Sequence, residues 1–160
     1  MSDTDVQWQG VSPRYRAELI VITGIAWVII LAASSVPLWI VGPGETVWGW
    51  LIVSAVALIG VMVLGFIPRR VRALGYALRE DDLVFRRGVF FQRIVAVPYG
   101  RLQLVDVGRG PIARVLGLSQ LSLVTAAASS GVSIPGLPLA TADQLRDHLI
   151  ALAETRRAGL

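Results

Sequence analysis

Two long apolar runs near the N-terminus decide the fold of this 160-residue chain. The first, LIVITGIAWVIILAASSVPLWI, covers residues 19–40, and the second, TVWGWLIVSAVALIGVMVLGFI, covers residues 46–67. Neither run of 22 residues contains a charged side chain. At 1.5 Å per residue each run forms a helix about 33 Å long, which crosses a hydrocarbon core of about 30 Å. The pattern predicts a transmembrane helical hairpin over residues 17–68, with spans at about 19–40 and 46–67.

The segment between the runs, GPGE at residues 42–45, predicts a tight reversal. One alternative is a buried helical hairpin of a soluble protein, but this chain has little other mass to cover two helices that are apolar on all sides. A signal peptide is a second alternative for the first run, since residues 32–35 (AASS) resemble a cleavage region. The apolar stretch continues past them to Val41, longer than the usual 7–15 residues or so, which favours a retained span.

Arginine placement predicts the orientation of the hairpin. Arg14 and Arg16 precede the first span, whereas the turn carries only the acidic Glu45. Three arginines follow the second span: Arg69, Arg70 and Arg72. By the positive-inside rule, both termini lie in the cytoplasm and the protein is a multi-pass protein of the inner (plasma) membrane. Trp27, near the middle of the first span, is expected to pack against a neighbour or lipid.

The chain beyond Pro68 has a different pattern and charge. Residues 69–160 contain thirteen arginines and seven acidic residues, a formal net charge of +6. Short alternating segments predict antiparallel strands, with an acidic turn at residues 80–82 and a capping box that opens a final helix at Thr141. The predicted strands cover residues 76–79, 83–88, 89–97, 102–107, 118–125 and 132–134, with one helical turn at 111–116. We expect a small mainly-β domain closed by the C-terminal helix.

Composition excludes several kinds of chemistry. The chain has no cysteine, lysine or asparagine, so disulfides, thiolate nucleophiles, lysine phosphate loops and Schiff-base lysines are absent. His148 has no companion ligands for a metal, and the acidic residues 80–82 are expected to form a solvated turn rather than a carboxylate site. We therefore predict no enzyme activity, no catalytic residue, no cofactor and no metal. Positive charge without a reader motif also argues against a nucleic-acid partner.

Five arginines are candidates for contact with anionic lipid. A cluster at the end of the second span lies where the inner leaflet would be, and each such arginine contributes about 1 kcal/mol of attraction to anionic headgroups. Two more follow the acidic turn on the predicted second strand. The candidate residues are Arg69, Arg70, Arg72, Arg86 and Arg87.

One long stretch carries a resemblance to a known family. It is PYGRLQLVDVGRGPIARVLGL at residues 98–118, followed by LSLVTA at 121–126, and GYALREDDLVFRRG at 75–88 matches the opening hairpin. With two preceding spans, this order resembles the YdbS-like bacterial membrane proteins, over roughly residues 14–155. The resemblance implies a pleckstrin-homology-like (PH-like) fold: two nearly orthogonal antiparallel sheets capped by a C-terminal α-helix. The acidic turn at 80–82 departs from the basic turn of lipid-binding members, which argues against specific phosphoinositide recognition.

These observations lead to one main function hypothesis and one alternative. The domain expectation is a cytoplasmic segment at 1–16, the hairpin at 17–68 and a cytoplasmic PH-like domain at 69–160. The main hypothesis is a non-enzymatic, membrane-anchored interaction or scaffold module. The resemblance adds an expected partner, another membrane protein with PH-like domains or a second copy, in a complex for envelope maintenance. The alternative is a peripheral sensor of anionic lipid headgroups at the inner leaflet.

Overall fold

The computed structural model describes residues 7–41, 47–125 and 131–158. It divides into two compact units, one of which is Arg16–Pro68. The helices are α1 (Arg14–Val41), α2 (Val47–Arg72), α3 (Pro111–Val115) and α4 (Leu139–Ala158). The strands are β1 (Gln9–Gly10), β2 (Gly75–Leu78), β3 (Asp82–Arg87), β4 (Arg93–Pro98), β5 (Leu102–Gly108), β6 (Leu118–Thr125) and β7 (Val132–Pro138).

Helices α1 and α2 are long and apolar enough to cross a membrane. None of the most apolar 18-residue stretch of α1 is buried within the protein, and only 11% of that of α2. The core helix of a soluble protein would be covered by other parts of the chain, whereas here apolar side chains such as Val28 and Leu58 are exposed. Helices with exposed apolar side chains are stable in lipid, since a helix also satisfies its own backbone hydrogen bonds there.

The two long helices contact each other through a glycine. A β-carbon on Gly60 of α2 would lie 3.2 Å from the indole ring of Trp27 on α1. Trp27 therefore packs on the neighbouring helix, one of the two contacts expected for it. The predicted reversal at residues 42–45 lies outside the described residues.

Helix α2 continues for one turn beyond Pro68 and ends at Arg72. The missing N–H of proline removes one helical hydrogen bond without ending the helix here. Arg69, Arg70 and Arg72 therefore lie on the last helical turn, where positive charge interacts favourably with the helix dipole.

The strands form two antiparallel sheets. One has the order β1-β2-β3-β4 and the other has the order β5-β6-β7. Strand β1 was not predicted from the sequence: Gln9 pairs with Tyr76, and Gly10 pairs with Gly75. The two membrane helices are thus inserted in the chain between two strands that are neighbours in one sheet. We call β1–β7 with α3 and α4 the β domain.

A core between the two sheets and α4 holds the β domain together. On α4, Leu149 is fully buried and Leu145 is 7% exposed. The sheets and the 3-10 turn after β4 contribute these buried side chains: Tyr76, Leu83, Phe85, Val97, Tyr99, Leu102, Leu121, Leu123, Ile134 and Leu137. The predicted fold class, a two-helix hairpin with a mainly-β PH-like domain capped by a C-terminal helix, is confirmed.

Three local predictions differ from the structure. Helix α4 begins at Leu139, so Thr141 lies inside the first turn and does not cap it. Strand β4 begins only at Arg93, because residues 88–92 turn the chain between β3 and β4. Strand β7 continues through Pro135 to Pro138, and a register shift between Ser119 and Leu121 of β6 interrupts its pairing. Proline is tolerated there because β7 is an edge strand.

Candidate functional site

A groove of the β domain lies beside β4. It has a volume of about 390 Å³. Strand β4 is the outer strand of its sheet, so one side of its backbone has no partner strand among the described residues. The groove is lined by Phe85, Arg87, Arg93, Val95, Ala96, Val97, Pro98, Arg101, Thr125, Gly131, Val132 and Ser133.

Strand alternation explains why arginines line this groove. Phe85 and Arg87 are two residues apart on β3 and therefore share a face, and Phe85 belongs to the core. Arg93 lies directly opposite Arg87, and Val95 lies opposite Phe85. Arg87 and Arg93 therefore continue the core-facing side of β3 and β4, beyond Phe85 and Val95, to the exposed end of the two strands.

The groove is strongly basic. Arg101, on a 3-10 turn (Tyr99–Arg101), adds a third guanidinium. Among the described residues, no acidic side chain lines the groove and none forms an ion pair with Arg87, Arg93 or Arg101. Thr125 and Ser133, on strands of the other sheet, also line the groove, so it offers charged and neutral donors to an anionic group or an acidic segment.

Arg86 occupies a different environment from Arg87. Its guanidinium carbon lies 4.7 Å from the centre of the Trp8 ring, a cation–π contact. Trp8 directly precedes β1, and Arg86 pairs with Gly75 of β2. As neighbours on one strand, Arg86 and Arg87 point to opposite faces. Arg86 therefore helps to hold the N-terminal segment against the sheet, and the two do not share a face.

The junction arginines Arg69, Arg70 and Arg72 are all exposed, whereas Val71 between them is buried. The five candidate arginines thus lie in three places: the last turn of α2, the Trp8 contact and the groove. Sequence reasoning missed Arg93 and Arg101, which join Arg87 only through strand pairing and the turn after β4. It also missed Trp8, because a two-residue strand has no periodicity to detect.

The acidic turn is fastened to the core. The hydroxyl of Tyr99 donates a hydrogen bond of 2.8 Å to the carbonyl of Arg79, and its N–H donates to Asp81 O at 3.2 Å. Burial raises the pKa of Tyr99 above its ordinary value, and the negative charge of Asp82 raises it further. Residues 80–82 therefore belong to a structural turn around a buried tyrosine.

The remaining candidates are the single histidine, a metal site and a second, smaller groove. His148 is exposed on α4. Within the described residues, no three histidine, cysteine or acidic side chains come together as a metal site. A smaller groove of about 210 Å³ lies between β5 and α4, where Leu104 and Ile150 are exposed by 57% and 40%. Its apolar lining fits protein contact.

Comparisons with known proteins agree with this architecture. The family model for the bacterial PH domain matches residues 17–153. The UPF0699 transmembrane protein YdbS of Bacillus subtilis (strain 168) is 31% identical over 147 residues, which cover 87% of this chain and 86% of that protein. No solved structure matches the chain significantly. The chain is therefore a membrane protein that belongs to the bacterial PH domain family.

Proposed function

We propose that this protein is a non-enzymatic interaction module, anchored in the inner membrane by two spans with both termini in the cytoplasm. Its β domain binds a protein partner, either another membrane protein with PH-like domains or a second copy of this chain. The resulting complex would serve in envelope maintenance. The observation that carries the proposal is the basic groove beside the free edge of β4.

The groove combines the features that strand addition requires. A free strand edge provides backbone donors and acceptors for an extended segment, and an adjoining pocket gives side-chain selectivity. Arg87, Arg93 and Arg101 line that pocket, and its described lining contains no acidic residue. Charge complementarity therefore favours an acidic extended segment of the partner, and like charges across such an interface cost several kcal/mol.

Site-specific photo-crosslinking in native membranes tests this proposal. A photoreactive residue at Ala96, which is exposed and lines the groove, should form adducts that mass spectrometry identifies as a PH-like protein or a second copy. A photoreactive residue at Gln144, exposed on α4, serves as the control position. Arg101→Glu should reduce the Ala96 adduct by about tenfold, equivalent to about 1.4 kcal/mol.

Arg109→Glu provides the matched charge control. Arg109 is exposed and does not line the groove, so the adduct at Ala96 should persist. Lipid adducts alone at Ala96, or the same protein adducts from Gln144, would contradict a partner bound in the groove.

A second candidate function, contact with anionic lipid, is favoured by the three exposed arginines on the last turn of α2. Each contributes about 1 kcal/mol near an anionic surface. With the full chain in nanodiscs, replacing all three by glutamine should reduce the preference for anionic over zwitterionic lipid, whereas three lysines should preserve it. An unchanged preference in the glutamine variant would rule these residues out.

A further inference from the structure

The turn between β3 and β4, residues 88–92, exposes two adjacent phenylalanines. Phe90 is 80% exposed and Phe91 is 91% exposed. Gly88 shapes this turn with a φ of +110°, and a β-carbon there would collide with the carbonyl oxygen of Phe91. We call residues 88–92 the aromatic tip.

Exposure of two neighbouring phenyl rings is costly in water. A single exposed apolar residue is ordinary, but contiguous exposed aromatic surface marks a contact with a partner or a membrane. A phenylalanine side chain buries roughly 150–250 Å² when it is covered. The tip therefore presents a largely exposed apolar surface that is available for contact.

The charged residues that flank the tip in the sequence are all arginines. No acidic residue occurs between Asp82 and Asp106, a segment that contains four arginines. Arg87 and Arg93 pair with each other as the last residues of the β3–β4 ladder, directly below the tip. Two phenyl rings next to a pair of arginines match the interface of an anionic bilayer. There, aromatic rings enter the boundary of the acyl chains and guanidinium groups contact lipid phosphates.

Strand register places both chain connections to the membrane helices at the same end of the sheet as the tip. Gly10, the end of β1, pairs with Gly75, the start of β2, and Gly75 pairs with Arg86 near the end of β3. Residues 11–13 lead from this end to α1, and residues 73–74 lead to it from α2. The aromatic tip therefore lies at the end of this sheet where β1 ends and β2 begins.

We propose that the aromatic tip is a second membrane contact, in which Phe90 and Phe91 insert into the interface of an anionic leaflet and Arg87 and Arg93 contact lipid phosphates. This contact would restrict the motion of the β domain at the membrane surface. It goes beyond the proposed protein interaction and uses residues other than the junction arginines. The two phenylalanines do not line the basic groove, so their substitution tests the tip separately.

The natural absence of cysteine allows a direct measurement of depth. In the full chain, Gln92→Cys carries a spin label beside the intact phenylalanines, and Gln144→Cys carries the control label. After reconstitution into vesicles of phosphatidylcholine with phosphatidylglycerol, collisions with oxygen report lipid exposure and collisions with an aqueous nickel chelate report water exposure. We expect the label at position 92 to be in contact with lipid and the label at position 144 to be in water.

The double variant Phe90→Ser, Phe91→Ser should reduce the lipid-exposed fraction by about tenfold, a loss of about 1.4 kcal/mol. Because both side chains are exposed, the thermal unfolding midpoint should change little. Vesicles of phosphatidylcholine alone should weaken the contact. A label at position 92 that remains in water in both vesicles would overturn the proposal. A label shielded from both quenchers would also overturn it, because a protein rather than lipid would then cover the tip.

Discussion

Gly136 on β7 supports the segment that leads into the membrane. Its φ is +70°, and a β-carbon would lie 2.5 Å from the ring of Tyr15. The carbonyl of Gly136 also accepts a hydrogen bond of 2.9 Å from the N–H of Ser12. The absence of a side chain thus lets Ser12 and Tyr15, on either side of the start of α1, lie directly on β7.

Gly136→Ala should therefore destabilise the protein. The left-handed backbone costs about 1–2 kcal/mol for a non-glycine residue, and the collision with Tyr15 adds to it. Thermal unfolding of the full chain in detergent measures the loss. Gly108→Ala is the matched control, since no atom lies within 4 Å of a β-carbon there. Equal midpoints for the two variants would contradict this role of Gly136.

Tyr99 makes stability depend on alkaline pH. Its raised pKa means that the folded protein holds the phenolic proton more tightly than the unfolded chain does. This contribution is complete below the unfolded pKa of about 10 and is lost as pH rises above it. Tyr76, whose pKa burial also raises, contributes in the same direction.

Tyr99→Phe should have two effects on the free energy of unfolding. At neutral pH the free energy of unfolding should fall by about 1 kcal/mol, because the hydrogen bond from the Tyr99 hydroxyl to Arg79 O is lost. Above pH of about 10 its decline should become shallower, with a remainder from Tyr76. Chemical denaturation over pH 7–11 or so measures both effects. An unchanged alkaline slope would contradict the contribution of Tyr99.

At the scale of elements, the contact between Trp27 and Gly60 sets how closely α1 and α2 approach. Association of helices in lipid depends on close packing at small residues, because there is no hydrophobic force between them. Gly60→Leu should displace the Trp27 ring and weaken the hairpin by about 1–3 kcal/mol. Unfolding of the full chain in mixed micelles with increasing dodecyl sulfate measures this.

Gly65→Leu on the same helix is the control, since a β-carbon at Gly65 meets nothing within 4 Å. The Gly60 variant should unfold at a lower detergent fraction than this control. If both variants unfold together, Trp27 and Gly60 do not determine the association of the two helices.

For the whole molecule, arginine placement predicts a topology with both termini in the cytoplasm. We expect a reporter that is active only in the cytoplasm to function at either terminus, and a reporter inserted between residues 43 and 44 to be inactive. Replacing Arg69, Arg70 and Arg72 by glutamine should increase the fraction of inverted molecules. Arg109→Gln should not, because Arg109 lies well beyond the 15–20 residues or so next to a span that count. An extracellular terminus in the unaltered chain would contradict this topology.

The sequence by itself determined the two helices, most strands and the fold class. A long uninterrupted apolar run is stable as a helix in the membrane. Strands are predicted from local features, namely alternating apolar residues bounded by glycine and proline. The buried positions of α4 were also predictable, since Leu145 and Leu149 follow helical spacing. The ends of the helices were less predictable. The continuation of α2 past Pro68 and the start of α4 at Leu139 depend on neighbouring structure.

Only the tertiary structure decided how distant residues combine. Strand β1 exists because Gln9 and Gly10 find a partner edge some 65 residues later, a pairing with no local pattern. Arg87, Arg93 and Arg101 form one groove through strand register and a turn, whereas the adjacent Arg86 is directed to Trp8. Neighbouring residues in the sequence determine local structure. A site, in contrast, depends on which strands pair, and the pairing of strands is set by burial across the whole β domain.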